Sequence, residues 1–156
     1  MSSRLVTVMA ALVLPALGCS VPFHATAPAG FVVLQDQERH GYDFRATDPD
    51  GLVLAVRSID NDPRGDQQFW SQAIANRLRD MGGYHLLERR DVKAKSGHAG
   101  VQFRFGHDEG RTPHLYTLTL FVTPERLFVL EAGGEKKLFE SNAGKVDAFV
   151  NDFVPR

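Results

Sequence analysis

Residues 115–132 read LYTLTLFVTPERLFVLEA, the richest concentration of Leu, Val, Phe and Thr after the first 18 residues. Two runs of strand-forming residues meet at residues 123–126, where the ring of Pro124 fixes φ near the value that a tight turn requires. Hydrophobic side chains fall on both faces of each run, so other elements must cover both faces. The segment therefore predicts a hairpin at the centre of an antiparallel sheet.

The bulk composition limits the classes of protein to consider. The chain has 156 residues, a length that suits one domain with one core. It carries 18 basic and 19 acidic residues, so it lacks the basic excess that is typical of proteins that bind nucleic acid. Hydrophobic residues make up 43% of the chain, which indicates a globular protein rather than a disordered one. The single cysteine excludes a disulfide within the chain.

Further strand signals surround the hairpin. Tyr42, Phe44 and Ala46 alternate with polar residues, the period of a strand with one buried face. Residues 48–51 read DPDG and favour a turn into the next strand. Strands are therefore predicted at 31–38, 42–47, 52–56, 84–95 and 101–105. The many charges of residues 84–95 favour a position at the edge of the sheet.

Two amphipathic helices complete the predicted domain. Asp66 suits the N-cap of the first helix, because its carboxylate can accept hydrogen bonds from the free backbone N–H groups of the first turn. Ser141 or Asn142 can cap the last helix in the same way. Apolar stripes at helical spacing then appear at Trp70, Ile74, Leu78 and Met81, and again at Val146, Phe149, Val150 and Phe153. We interpret Trp70 as a core residue rather than a ligand platform. The predicted class is α+β, with an antiparallel sheet of six or seven strands and two main helices packed on it.

The amino-terminal segment has the form of a signal peptide. One basic residue, Arg4, precedes an apolar run that is short for a membrane span. Residues 16–19 read ALGC and resemble the lipobox of bacterial lipoproteins, although Ala16 stands where that motif usually has Leu. The resemblance implies cleavage after Gly18 and attachment of lipid to the sulfur of Cys19. We therefore divide the chain into a signal peptide (1–18), a lipidated cysteine with its tether (19–30) and a single α+β domain (31–156).

The predicted anchor also implies a location. Acyl chains hold a protein on a bilayer without a spanning helix, since each buried methylene contributes about 0.8 kcal/mol. Ser20 follows the cysteine, which resembles the pattern sent to the outer membrane in enteric bacteria. We expect a lipid-anchored protein of the bacterial cell envelope that faces the periplasm, on the outer rather than the inner membrane.

No group of residues forms a recognised catalytic or metal-binding motif. Residues 60–66 have oxygen ligands two apart, as in a calcium loop, but Arg64 takes the fifth place and Ser71 stands where a bidentate Glu is needed. We interpret this segment as a turn and a helix cap. His98, His107 and His114 gather around one strand and loop at spacings that match no zinc signature. The sequence therefore predicts no metal, no cofactor and no catalytic residue.

The order of the elements resembles that of the PsbP-like fold. The resemblance covers residues 28–153 and rests on the opening PAGF at 28–31, the turn at 48–51, one long helix, a long meander, and an ending in which a strand that reaches 131–133 is followed by FVNDF at 149–153. The fold includes an extrinsic photosystem subunit, a Ran-binding nuclear import factor and bacterial envelope lipoproteins of the DcrB type. The resemblance implies an α/β/α sandwich that acts in binding or assembly rather than in catalysis.

Two functional hypotheses follow. In the first, the chain is a lipid-anchored envelope protein, not an enzyme, that binds the membrane through its lipid and another envelope protein through its sheet or a helix face. In the second, it is a periplasmic metal- or small-ligand-binding protein, or an enzyme, that uses the region of His98, His107 and His114. The second hypothesis requires these three side chains to converge.

Overall fold

A computed structural model describes residues 21–35, 40–80 and 83–156 of the chain. The strands are β1 Phe23–His24, β2 Val32–Val33, β3 Phe44–Thr47, β4 Val53–Asp60, β5 His85–Lys93, β6 Ala99–Glu109, β7 Thr112–Val122, β8 Arg126–Glu135 and β9 Val154–Pro155. The helices are α1 Gln67–Asp80, α2 Lys136–Ser141 and α3 Ala143–Asn151.

Seven strands form one antiparallel sheet in the order β2-β3-β4-β8-β7-β6-β5. The hairpin β7–β8 confirms the prediction from residues 115–132, because β8 is the fourth of the seven strands. Its turn closes where the Thr123 N–H donates to the Arg126 carbonyl at 2.8 Å. After β4 the chain runs through α1 to the far edge of the sheet, and the meander β5–β8 returns it to pair with β4.

The two faces of the sheet carry separate cores. Successive side chains of a strand point to opposite faces, so the central hairpin supplies both cores. On one face, α2 and α3 cover buried residues that include Leu54, Phe128 and Leu130. On the other face, α1 covers buried residues that include Phe103 and Leu120. This arrangement confirms the predicted α+β class.

The first helix begins as the sequence predicts. The Asp66 carboxylate accepts a hydrogen bond from the Phe69 N–H at 2.8 Å, which confirms its role as N-cap. Trp70 packs against the core beneath α1 and donates its indole N–H to the side-chain oxygen of Asn61 at 2.8 Å. Trp70 is therefore a core residue, as predicted, whereas Met81 lies outside the described residues.

The start of the domain differs from the prediction. The Phe23 ring is buried, with its centroid 6.2 Å from that of Phe128 and 5.5 Å from that of Phe153. Residues 22–24 of the predicted tether are therefore paired with β9 and packed on the domain. The reason is that the strand β9, near the other end of the chain, and the sheet together form a site for this ring.

Two smaller predictions also need correction. The first strand, predicted over 31–38, is short: β2 pairs with β3 only over Val32–Val33, and residues 36–39 lie outside the described residues. Asn142 precedes α3, but its side chain donates to the Leu138 carbonyl at 3.0 Å. It therefore closes α2 rather than capping the last helix.

Candidate functional site

The residues that the sequence singled out for chemistry do not form one site. Cys19 and Gly18 lie outside the described residues. His107 and His114 are register partners across β6 and β7. His98 precedes the start of β6, and nine residues of extended chain place it about 30 Å from His107. The three histidines therefore do not converge on one metal ion, and the second hypothesis loses its basis.

Residues 60–66 serve the fold through one buried side chain. The Asn61 amide donates to the carbonyls of Gly65 and Thr123 at 3.0 and 2.9 Å. Its oxygen accepts from the Gly65 N–H and from the Trp70 indole at 2.9 and 2.8 Å. Asn61 thus joins this loop to α1 and to the β7–β8 turn, which confirms the interpretation of the segment as a turn.

Two surveys of the described ranges bear on metals and membranes. Within residues 21–35, 40–80 and 83–156, no three His, Cys, Asp or Glu side chains are grouped so that they would hold a metal ion. No helix in these ranges has the length and apolar character needed to cross a bilayer.

A different group of polar side chains lies on the face that α1 only partly covers. Among the described helices, α1 is the one on this face, and it packs on β6 and β7 at one side of the sheet. The other side, formed by β3, β4 and the second half of β8, carries a cluster that no helix of the described ranges covers. We call it the Glu131 cluster; its members are Tyr42, Arg45, Arg57, Tyr116 and Glu131.

Strand register brings the cluster together from distant parts of the sequence. Arg45 of β3 is the partner of Ala55 of β4, and Ala55 is in turn the partner of Glu131 of β8, so the three side chains lie in one row. In the neighbouring row, Gly133 is the partner of Tyr116. Because Gly133 has no side chain, it leaves a depression beside the Tyr116 ring.

The shortest contact of the cluster joins Tyr42 to Glu131. The Tyr42 phenol donates to the Glu131 carboxylate at 2.6 Å, the short distance expected when the acceptor is charged. The Arg57 guanidinium lies over the Tyr42 ring, 4.0 Å from its centroid. Burial and the hydrogen bond to Glu131 raise the pKa of Tyr42, while hydrogen bonding to Tyr42 and the charge of Glu131 raise the pKa of Arg57.

The second phenol, that of Tyr116, is half-buried and lines the same cavity as the Glu131 carboxylate. Burial raises its pKa far above the ordinary value, and the negative charge of Glu131 adds to the shift because it disfavours a second anion nearby. A phenol with the ordinary tyrosine pKa of about 10 is protonated at neutral pH, and the raised pKa values keep both phenols protonated at more alkaline pH as well. They therefore act as hydrogen-bond donors and do not take up protons.

The cluster borders a shallow cavity of about 130 Å³. Its floor is apolar, formed by Val53, Ala55 and Gly133, and its rim carries the two phenols, Arg45 and Glu131. Arg45 and Glu131 carry opposite charges, and Arg57, which lies over the Tyr42 ring, brings the net charge of the cluster to +1. Fixed donors, a net positive charge and an apolar floor suit recognition of a negatively charged group attached to an apolar segment.

Sequence reasoning missed this site. Tyr42 and Glu131 are 89 positions apart, and each fits an ordinary half-buried strand when considered alone. The one available signal was that Tyr42, Tyr116 and Glu131 all lie in runs that the sequence predicts as strands. That signal becomes specific only when the strand order and register are known.

Comparisons with known proteins show the fold. No protein-family model and no curated protein sequence matches the chain. LpqN of Mycobacterium tuberculosis, involved in cell envelope biogenesis, is similar in structure with a TM-score of 0.66 at 14% identity, over 85% of this chain and 82% of that one. Cyanobacterial PsbP (CyanoP) from Synechocystis gives a TM-score of 0.58 at 12% identity, over 86% and 87% of the two chains.

A third structure, a Pseudomonas aeruginosa protein of unknown function, gives a TM-score of 0.52 at 13% identity over 92% of this chain and 89% of that one. At these identities the similarity concerns the fold, and it does not single out the DcrB type. The chain has the PsbP-like fold that its sequence resembles.

Proposed function

We propose that the chain is a lipid-anchored protein of the bacterial cell envelope and acts, without catalysis, as a binding or assembly module for another envelope protein. We further propose that the partner presents an acidic, partly apolar segment to the Glu131 cluster. The observation that carries the proposal is the half-covered sheet face with its net positive cluster and apolar floor.

The chemistry of the cluster supports binding rather than turnover. Both tyrosines stay protonated, and the carboxylate of Glu131 already accepts the Tyr42 hydrogen bond. The exposed Arg57 is the group best placed to meet an incoming carboxylate, because a guanidinium presents several N–H donors in one plane. Val53 and Ala55 then offer an apolar surface to the side chains beside that carboxylate.

The envelope location rests on two lines of support. The lipobox-like residues 16–19 and the single Cys19 fit a lipoprotein. The similar fold of LpqN, whose description places it in cell envelope biogenesis, is consistent with that location.

Fractionation of cells tests the anchor. Wild-type protein should sediment with membranes and be released by detergent, whereas Cys19→Ser should leave the protein in the soluble fraction or as uncleaved precursor. Mass spectrometry of the wild-type N-terminus should find an acylated Cys19. An unmodified sulfur in wild type, or a variant of cleaved, mature length that still sediments with membranes, would refute the anchor.

Site-specific crosslinking tests the docking face. A photo-reactive amino acid in place of Ile59, which is 47% exposed and lies two residues from Arg57 on the same face of β4, leaves Arg57 intact. It should capture a partner from intact cells, and the crosslink should map to a segment rich in Asp or Glu. Position 86 is the matched control, because Leu86 is also an exposed apolar residue (49%) on the α1 side of the sheet but lies on the edge strand β5. A crosslink of equal yield at both positions, or one that maps to a basic segment, would contradict the proposal.

Binding by the purified pair gives a quantitative test. Arg57→Gln should weaken binding about tenfold, or roughly 1.4 kcal/mol, because one charge-assisted hydrogen bond is lost. Arg89→Gln should leave the affinity unchanged within about twofold, and added salt should weaken wild-type binding because exposed charges are screened. Equal effects of the two substitutions would exclude a special role for the Glu131 cluster.

A further inference from the structure

We infer that the paired ends β1 and β9 lie directly against the bilayer, and that this orientation places the cavity beside Glu131 on the half of the sheet farther from the membrane. The inference rests on the proposed lipid anchor at Cys19 and adds to it an orientation of the whole domain.

The first step is that the folded body begins at residue 22. The Pro22 carbonyl accepts a hydrogen bond from the Arg156 N–H at 2.8 Å, and Phe23 and Pro155 are register partners. The Phe23 side chain is only 4% exposed, so it cannot leave the core without a large loss of buried apolar area. Residues 22–24 are therefore part of the domain rather than of a spacer.

The second step concerns the length of the link between the lipid and the folded domain. Only residues 19–21 separate the lipid-bearing sulfur from the folded body, and three extended residues span at most about 11 Å. A spacer of the predicted length, residues 19–30, would reach roughly 40 Å and permit any orientation. The short link therefore holds the end of the domain that carries β1 within about one Debye length of the bilayer surface.

The third step identifies which end of the domain this is. Phe23 and Phe153 lie over Phe121 and Phe128, at the end of the sheet where β7 turns into β8. The turn between β5 and β6 is at the same end, because the Ser96 hydroxyl donates to the Phe153 carbonyl at 3.3 Å. We call this part of the molecule the ribbon end.

The fourth step places the Glu131 cluster relative to the ribbon end. Along β8, Glu131 is three residues from Phe128, or roughly 10 Å, and Gly133 is five residues from Phe128, or roughly 17 Å. Glu131 points to the face of the sheet on which α1 packs, whereas Phe128 points to the face that α2 and α3 cover, because the two residues are an odd number of positions apart on the strand. A domain held at its ribbon end thus presents the cavity beside Glu131 and Gly133 on its outer half, open to a partner in the periplasm, whereas Arg57, the partner of Val129, lies nearer the ribbon end.

Headgroup quenching measures this orientation. Arg156→Cys at the ribbon end and Asp50→Cys at the β3–β4 turn, at the opposite end of the sheet, each add one free thiol at an exposed position once Cys19 carries its lipid. The lipidated proteins are labelled with a thiol-reactive fluorophore and placed in phosphatidylethanolamine–phosphatidylglycerol vesicles, with or without a nitroxide on the lipid headgroup. The nitroxide should quench the label at 156 several-fold more than the label at 50.

A spacer variant tests whether the short link sets the orientation. Insertion of about twelve Gly and Ser residues between Ser20 and Val21 should abolish the difference in quenching, because a flexible spacer of that length reaches about 20 Å and lets the domain rotate. Equal quenching of the two labels without the spacer would overturn the inference, as would a difference that survives the insertion.

Flotation of the same vesicles separates the two proposals. If the protein does not float with the vesicles, the lipid anchor fails and the orientation fails with it. If it floats but both labels are quenched equally, the anchor stands and only the orientation is overturned.

Discussion

At the scale of single residues, the Tyr42 phenol is the group that holds the Glu131 carboxylate on the open face of the sheet. Tyr42→Phe removes the 2.6 Å hydrogen bond to a charged acceptor and leaves the ring in place. We expect the free energy of unfolding to fall by about 1–2 kcal/mol, since the carboxylate is half-buried and loses a donor. Urea denaturation followed by circular dichroism measures the change.

Tyr84 provides the matched control for this substitution. It is also half-buried, and its ring stacks on that of His107 with the ring centroids 4.8 Å apart. Its hydroxyl makes no hydrogen bond to another residue of the described ranges. Tyr84→Phe should therefore change the free energy of unfolding by less than about 0.5 kcal/mol. Equal losses for the two variants would show that the Tyr42–Glu131 bond contributes nothing specific.

The raised pKa of Tyr116 predicts how stability depends on pH. The unfolded chain releases this proton near pH 10, the ordinary tyrosine value, whereas the folded protein holds it to higher pH. Its contribution to stability is therefore complete below about pH 10 and is lost as the pH rises further. Between pH 10 and 11, one such group lowers the free energy of unfolding by up to about 1.4 kcal/mol.

Tyr116→Phe removes this ionisation and should flatten the pH profile. Denaturation midpoints of wild type and variant, compared from about pH 8 to pH 11, measure the two slopes. A change in packing caused by the substitution shifts the free energy of unfolding by the same amount at every pH, so the slope of the profile is the quantity that reports the raised pKa. Parallel profiles would contradict the predicted shift.

At the scale of the elements, Asn61 joins a loop, a helix and a turn through one buried side chain. Asn61→Ala leaves the Trp70 indole N–H and the Gly65 N–H without their acceptor and frees the Thr123 carbonyl. We expect a loss of about 2–4 kcal/mol in the free energy of unfolding. Asn76→Ala, in the exposed part of α1, is the control and should cost less than about 0.5 kcal/mol. Similar losses would show that Asn61 does not organise this junction.

The edge strand β5 shows how an element resists unwanted pairing. It is exposed along nearly its whole length, including Leu86 and Leu87, but a β-bulge between Leu86 and Glu88 breaks its register. Its remaining positions are mostly charged, and Arg90 is held toward α3 by Asp147 at 2.5 Å. A bulged and charged edge is a poor template for a second sheet.

At the scale of the whole molecule, Phe23 joins the two ends of the described domain. Phe23→Ala should lower the free energy of unfolding by about 3–4 kcal/mol, because it empties a site lined by buried phenylalanine rings. Phe69→Ala is the control; that ring is 53% exposed and should cost about 1 kcal/mol or less. Thermal and urea denaturation measure both. Equal costs would place residues 22–24 outside the cooperative fold and remove the basis for a short membrane link.

The sequence by itself determined the elements whose evidence is local. The hairpin at 115–132, the N-cap at Asp66 and the apolar stripe from Trp70 to Leu78 follow from periods of two and 3.6 residues and from turn chemistry, which operate within a few positions of the chain. The α+β class follows from the order of those elements. Each of these predictions agrees with the structure because neighbouring residues sufficed to make it.

Only the tertiary structure decided where the domain begins and where its polar cluster lies. Phe23 reads as part of a proline-rich spacer until β9 and Phe128 provide a buried site for it. The Glu131 cluster likewise exists because β3, β4, β7 and β8 align Arg45, Tyr116 and Glu131 on one face, and the segment before β3 brings Tyr42 to the same carboxylate. Contacts over such separations depend on strand order and register, which hydrophobic periodicity does not encode.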